Sequence, residues 1–251
     1  MLILLNTAKT FSQSPPPSWI QPTEPVFQQE SNVLTHQLQK YSIPQLEKLM
    51  KISTSIAELN HNRYANWSGC QGIPALHAFA GEIYKKLKAD PLKKQDWTFA
   101  QKHLRIISGL YGVLKPMDAI TPYRLEMYTK LKVGDMKNLY EFWKEKITRQ
   151  IHLELNQSKS NFLVNLTSNE YFSAIDIKKI KVSIVNMTFK EKTKKGLGTV
   201  AIRSKWARGL MARYIIDHQI MEPEGLKKFN LETYRFDEKR SDENKYLFVR
   251  S

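Results

Sequence analysis

The first five residues, Met1-Leu2-Ile3-Leu4-Leu5, are all apolar, and the run stops at Asn6. It has no basic segment in front of it and is too short for a signal-peptide core or a membrane span, so it reads as a buried first strand. A second such run, Asn161-Phe162-Leu163-Val164-Asn165-Leu166, reads as a short, fully buried strand, and Ser168 after it is placed to cap a short helix containing Glu170, Tyr171 and Phe172. This strand–loop–helix layout sets polar groups at the carboxyl edge of a sheet.

Helices fill most of the space between these strands. Ser31 to Trp67 carries apolar residues at helical spacing, with Pro44 opening its second segment and Ser68-Gly69 ending its third. A helix is also expected from Trp97 to Ile107. From Asn138 to Asn156, Leu139, Phe142, Trp143, Ile147, Ile151 and Leu155 form one continuous stripe at spacings of three and four. The prolines between Ser12 and Pro25 impose an extended loop, the segment expected to be least ordered. Val182 to Phe189 and Thr199 to Ile202 read as two strands joined by a lysine-rich turn, Lys190 to Gly198, and Phe229 to Val249 supplies one or two more strands. With 41% hydrophobic residues the chain can bury a core. The expected fold is mixed α/β: one compact domain over residues 1–251, a short mixed sheet surrounded by helices.

No other segment approaches the ~20 apolar residues of a membrane span, and a single cysteine, Cys70, cannot form an internal disulfide. A cytoplasmic location and no membrane partner are expected. The net charge of +15 points to a polyanion. Solubility alone could also account for it, so its distribution matters. Lys178 to Arg213 holds eleven basic residues against one acid, Glu191, or +10 of the total. On a helical wheel Trp206, Leu210, Met211, Tyr214 and Ile215 take one side, and Lys205, Arg208 and Arg213 spread over the other. Together with Lys194 and Lys195 in the turn, these three can track a phosphate backbone; a merely solvated helix face is the bland alternative.

The Gly109-Leu110-Tyr111-Gly112 turn, with Ser108 before it and Arg105 and Lys115 on either side, is similar to a helix-hairpin-helix, in which glycine-permitted backbone N–H groups approach a phosphate. Its glycines are two residues apart rather than one, and an ordinary glycine turn fits equally well. Lys9, Arg124, Glu126 and Glu170 are the candidate catalytic groups: a lysine close behind the first strand, and charged residues in apolar surroundings. A surface lysine and a structural ion pair are the competing readings. The six histidines and Cys70 show no ligand spacing, and phosphate-binding glycine loops, dinucleotide fingerprints and serine elbows do not occur. Neither a metal site nor a cofactor is expected.

Several stretches, in order along nearly the whole chain, resemble the YaaA family of bacterial peroxide-stress-resistance proteins. They are Met1-Leu2-Ile3-Leu4 with Ala8-Lys9-Thr10, Leu104 through Pro116, Pro122-Tyr123-Arg124-Leu125-Glu126-Met127, Leu139-Tyr140-Glu141-Phe142-Trp143, Asn165 through Phe172, and Ala207 through Arg213. Departures are Asn6-Thr7, where the family usually has Ser-Pro, and Tyr128, where glycine is usual. The resemblance implies a cytoplasmic protein that limits free iron under hydrogen peroxide. It further implies a compact α/β fold with a helix-hairpin-helix, a positively charged cleft and binding of double-stranded DNA. The family's hairpin maps to Ser108 through Val113, and its polar cleft residues map to Lys9, Arg124, Glu126, Glu170, Lys205 and Arg208.

Three functions follow. The leading one is a DNA-binding peroxide-stress protein that contacts the phosphate backbone with little sequence preference. The second is an enzyme acting on a small anionic ligand, a phosphorylated or nucleobase substrate, for which Lys9, Arg124, Glu126 and Glu170 would have to converge. The third, iron sequestration, lacks a supporting ligand inventory.

Overall fold

The computed structural model describes residues 1–67, 72–194 and 196–251. The expected helix stop at Ser68-Gly69, Cys70, and the candidate DNA contact Lys195 lie outside the described residues.

The first apolar run is strand β1 (Leu2–Asn6), whose residues from Leu2 to Leu5 are fully buried. Its neighbours are β3 (Leu104–Ser108) on one side and β6 (Phe162–Asn165) on the other, both parallel to it, in registers that set Leu5 beside Ile106 and Leu4 beside Asn165. Beyond β6 lie β7 (Ser183–Thr193) and β10 (Lys245–Arg250), again parallel. Antiparallel β4 (Gly112–Leu114) and β9 (Tyr234–Phe236) close the two edges, and β8 (Gly196–Gly198) folds back on the far end of β7. A separate two-stranded ladder joins β2 (Ile73–Pro74) to β5 (Ala119–Ile120). Continuous apolar sequence from Leu2 to Leu5 in β1 and from Phe162 to Val164 in β6 fits strands of a parallel sheet, which are covered on both faces.

Helices α1 (Gln28–Leu38), α2 (Ile43–Met50) and α3 (Thr54–Ala65) occupy the stretch of helical spacing, α1 beginning three residues before Ser31. Pro44 sits in the first turn of α2, whose Ser42–Gln45 capping box satisfies N–H groups that the helix leaves open. Short α4 (Ala75–Ala78) and α5 (Glu82–Leu87) follow, then α6 (Lys94–His103). The stripe from Leu139 to Leu155 is the buried side of α7 (Leu139–Gln157), capped by the Asn138 side chain, which accepts the Glu141 N–H. After β6 comes α8 (Asn169–Phe172), with Ser168 at its N-cap position but without a side-chain cap bond. The long α9 (Ala201–Asp217) packs on α5 and on the sheet.

Three expectations are corrected. The helix expected to reach Ile107 ends at His103, and Leu104–Ser108 is strand β3: a short apolar run bears no periodicity that separates strand from helix. Thr199–Ile202 is not a strand, because β7 runs on to Thr193 and the chain is already helical at Ala201. The proline-rich segment is extended as expected but tied down, through bridges of Phe11 to Phe79 and Thr23 to Asp118 and the Ser12 N–H to Ala78 O bond.

Candidate functional site: a charged cleft at the sheet's switch point

After β1 the chain crosses to β3, on one side; after β6 it proceeds to β7, on the other. The two loops leaving the carboxyl ends of β1 and β6 therefore diverge, and a crevice opens between them, the usual ligand position in an open parallel sheet. A cleft of about 340 Å³ occupies this place, lined by the loop after β1, the start of α8, Glu126, the beginning of α5 and one side of α9.

The loop after β1 is fixed by its polar side chains. Asn6 Oδ1 accepts the Ser168 N–H (3.2 Å), linking it to the loop after β6, and the Thr7 hydroxyl donates to Tyr171 Oη (3.2 Å). Lys9, more than half exposed, reaches Glu126 Oε1 at 3.0 Å, and Arg124 Nε meets the same oxygen at 2.7 Å. Glu126 is buried, with its other oxygen, Oε2, lacking a hydrogen-bond partner among the described residues. Glu170 faces the same cleft, receiving the Tyr128 N–H at 3.4 Å. Burial raises its pKa, the nearby Glu126 charge adds to this, and the Tyr128 N–H and Lys9 oppose it.

The α9 wall supplies cations. Lys205 is exposed, whereas Arg208 is largely covered: its Nε is buried without a hydrogen-bond partner, and burial lowers the pKa of its guanidinium. Trp206, between them, donates its indole N–H to Glu82 at the start of α5 (2.5 Å). Lys9, Glu126, Glu170, Lys205 and Arg208 thus line one cleft, and Arg124 reaches it through Glu126.

The other candidates lie elsewhere. Arg105 is buried and paired with Glu154, and it also donates to the Gln101 and Leu104 carbonyls. Its place in the buried strand β3, where a helix is expected, removes it from the candidate DNA contacts. The expected helix-hairpin-helix over Ser108–Val113 is the buried β3–β4 hairpin. Ser108 Oγ accepts the N–H groups of both Leu110 and Tyr111 (3.1 and 2.9 Å), so these donors are directed inward. Gly109 is also buried, with its carbonyl accepting the Trp143 indole N–H, and Gly112, at φ +67°, packs under the Trp143 ring. Lys115 lines a separate small recess with Asp118 and Glu154. Arg213, expected on a free cationic face, is bonded to Asp217 at 2.7 Å and to the carbonyls of Leu87 and Lys88. Lys194 is exposed at the tip of the β7–β8 hairpin.

The sequence reading passed over the cleft roles of Thr7, Gly81 and Tyr171. Adjacency to Lys9 and Glu170 was the signal for Thr7 and Tyr171; Gly81, whose added Cβ would stand 2.6 Å from that of Ala8, had none in the sequence. Among the described residues no group of three or more His, Cys, Asp or Glu is placed to hold a metal ion, and no helix is long and apolar enough to cross a membrane.

The family model for "Peroxide stress protein YaaA" matches residues 1–240. A "UPF0246 protein" of Crocosphaera subtropica is 40% identical over 250 residues, and one of Francisella philomiragia is 39% identical over 255; both alignments cover all of each chain. A third, from Francisella tularensis subsp. novicida, is 39% identical over 258 residues, again over the whole of both chains. With a family match over nearly the whole chain and relatives aligned from end to end in agreement, the chain belongs to the YaaA family of peroxide stress proteins.

Proposed function

We propose that this member of a peroxide stress family binds double-stranded DNA through the carboxyl edge of its sheet, using phosphate contacts and little sequence readout. One observation carries this reading: four cations cluster along that edge without a carboxylate partner among the described residues. They are Lys192, Lys194, Lys205 and Arg208; of the other cations, Arg203 and Arg250 share Glu191, Arg213 pairs with Asp217 and Lys9 with Glu126. Strand β7 extends well beyond the end of β6, since Asn165 pairs with Asn186 and β7 continues to Thr193, so the hairpin tip projects on the same side as the cleft. The family's implied protection against peroxide, with less free iron in stressed cells, belongs to the same reading and is followed by assaying free iron in a deletion strain.

The test is a salt titration of binding to a short duplex. Lys205→Ala plus Arg208→Ala should flatten the log–log slope by ~0.9 for each phosphate that the variant no longer neutralises. Weak binding with an unchanged slope would overturn the proposal.

A second reading, an enzyme on a small phosphorylated or nucleobase substrate, is favoured by the convergence of Lys9, Arg124, Glu126 and Glu170 at the switch point.

A further inference from the structure

The cleft has two chemically different ends. On the α9 side, Arg208 brings a guanidinium whose Nε is covered but unpartnered, with Lys205 beside it. A buried guanidinium lacking an acceptor is costly, and an anion of matching shape removes that cost. On the opposite side, Glu126 uses one oxygen for both Lys9 and Arg124 and leaves the other without a donor, and Glu170 stands next to it. These carboxyl groups call for N–H or O–H donors.

Such an arrangement discriminates. An isolated anion would suit Arg208 but be repelled by the two carboxylates; a simple cation would suit the carboxylates but meet Lys9, Lys205 and Arg208. A ligand satisfying both ends needs an anionic group at one end and a donor-bearing edge at the other. Small-molecule pockets span ~300–1,000 Å³, and this cleft of about 340 Å³ is at the low end, large enough for one nucleotide and too small for two. Its location at the switch point of a parallel sheet is where nucleotides are bound in doubly wound folds.

We propose that the cleft binds a single nucleoside monophosphate unit, with the phosphate on Arg208 and Lys205 and the donor edge of the base or ribose on Glu126 and Glu170. This rests on the second reading of the cleft; it shares Lys205 and Arg208 with the proposed duplex contacts and is read by a separate measurement. The raised proton affinity of Glu170 suits a carboxyl that either accepts from a base N–H or donates to a ring nitrogen. The same chemistry has two sources, a free nucleotide or a nucleotide drawn in from a DNA strand.

The test is calorimetry on the full chain with 5′-AMP, 5′-GMP, 5′-CMP and 5′-dTMP, along with inorganic phosphate and the parent nucleosides. At least one monophosphate should bind tenfold or more tightly than either phosphate or its nucleoside. Arg208→Gln should weaken that monophosphate at least tenfold while sparing the nucleoside, and Glu170→Gln should weaken the nucleoside while sparing phosphate. Glu170 is used because Glu126 is buried in an ion-pair cluster whose removal endangers folding; circular dichroism checks both variants. A 5′-phosphorylated oligonucleotide that displaces the monophosphate identifies a strand-borne source; one that does not identifies the free nucleotide, and either outcome supports the site. Monophosphates binding no tighter than phosphate, or affinity indifferent to Arg208→Gln in a folded variant, would overturn it. The duplex salt slope is read separately, so the DNA proposal and this one can fail independently.

Discussion

Individual side chains show how the same charge serves opposite ends depending on what covers it. Arg105 and Arg208 are both largely enclosed, yet Arg105 is met by Glu154 and three carbonyls, whereas Arg208 Nε meets none among the described residues. The first is held as structure; the second has no acceptor for its Nε among the described residues. Asp118 offers a test of burial that is remote from the cleft. Its carboxylate accepts the Lys115 N–H and the Thr23 hydroxyl (both 2.7 Å), but burial prevails over these bonds and pushes its pKa from 3.8 to about 6. The folded state therefore binds a proton that the unfolded chain has already released between pH ~4 and ~6. This contribution to stability is full below pH ~4 and is lost as pH rises through about 6, a change of about 3 kcal/mol before relaxation. Urea unfolding at a series of pH values should show that decline in the wild type. Asp118→Asn should remove it, and a parallel pH profile in the two proteins would refute the assignment.

Elements meet closely where the cleft is formed, and α5 against α9 is the tightest approach among them. Gly209 is the reason: a Cβ there would lie 2.0 Å from the Ile83 carbonyl oxygen, a backbone atom without a flexible end to yield. Both helices supply cleft residues, α5 at Glu82 and Lys85 and α9 at Lys205 and Arg208, so their spacing sets the cleft's width. Gly209→Ala gains helix propensity in principle, but overpacking against backbone should dominate, by ~1–3 kcal/mol. In a chain of 251 residues that lowers the melting temperature by roughly 2–4 °C for each kcal/mol. A variant melting at or above the wild type would show that the helices separate without strain. The sequence disclosed α9 as a helix but not its orientation. A wheel balanced on Trp206, Leu210 and Tyr214 ignored that Ala207, Gly209 and Ala212 are small, and small residues are what let a helix approach two neighbours at once.

At the scale of the whole molecule, local patterns conveyed which segments are strands and helices, and long-range pairing conveyed where they go. Met1–Leu5 and Phe162–Asn165 are legible because buried parallel strands are continuous apolar runs. Leu104–Ser108 misled because the helix α6 runs directly into it, with no Gly or Pro between them. The cleft residues Lys9, Arg124, Glu126 and Glu170 could be singled out by charge in apolar context, but their convergence follows from strand order, with β1 between β3 and β6, which no local pattern encodes. Charge is likewise legible as a total and not as a surface: eleven basic residues lie between Lys178 and Arg213, yet Arg203 is paired with Glu191 and Arg213 with Asp217. Under the proposed DNA binding, the unpaired cations at the carboxyl edge should govern the rate of encounter with the duplex. Lys190→Gln, Lys192→Gln and Lys194→Gln together remove three positive charges from β7 and its tip without touching a buried side chain. Since the Debye length is ~30 Å at 0.01 M salt and ~3 Å at 1 M, the triple variant should associate with duplex DNA several-fold more slowly at low salt, the difference fading at high salt. Its melting temperature should be nearly unchanged, because Lys192 and Lys194 are exposed, Lys190 is half-buried with no ion pair among the described residues, and surface charges away from a packed feature contribute within about 0.5 kcal/mol. Stopped-flow association rates across a salt series provide the check. An equal rate in the two proteins at low salt would mean that the hairpin does not face the DNA, leaving the encounter to Lys205, Arg208 and Lys9 around the cleft itself.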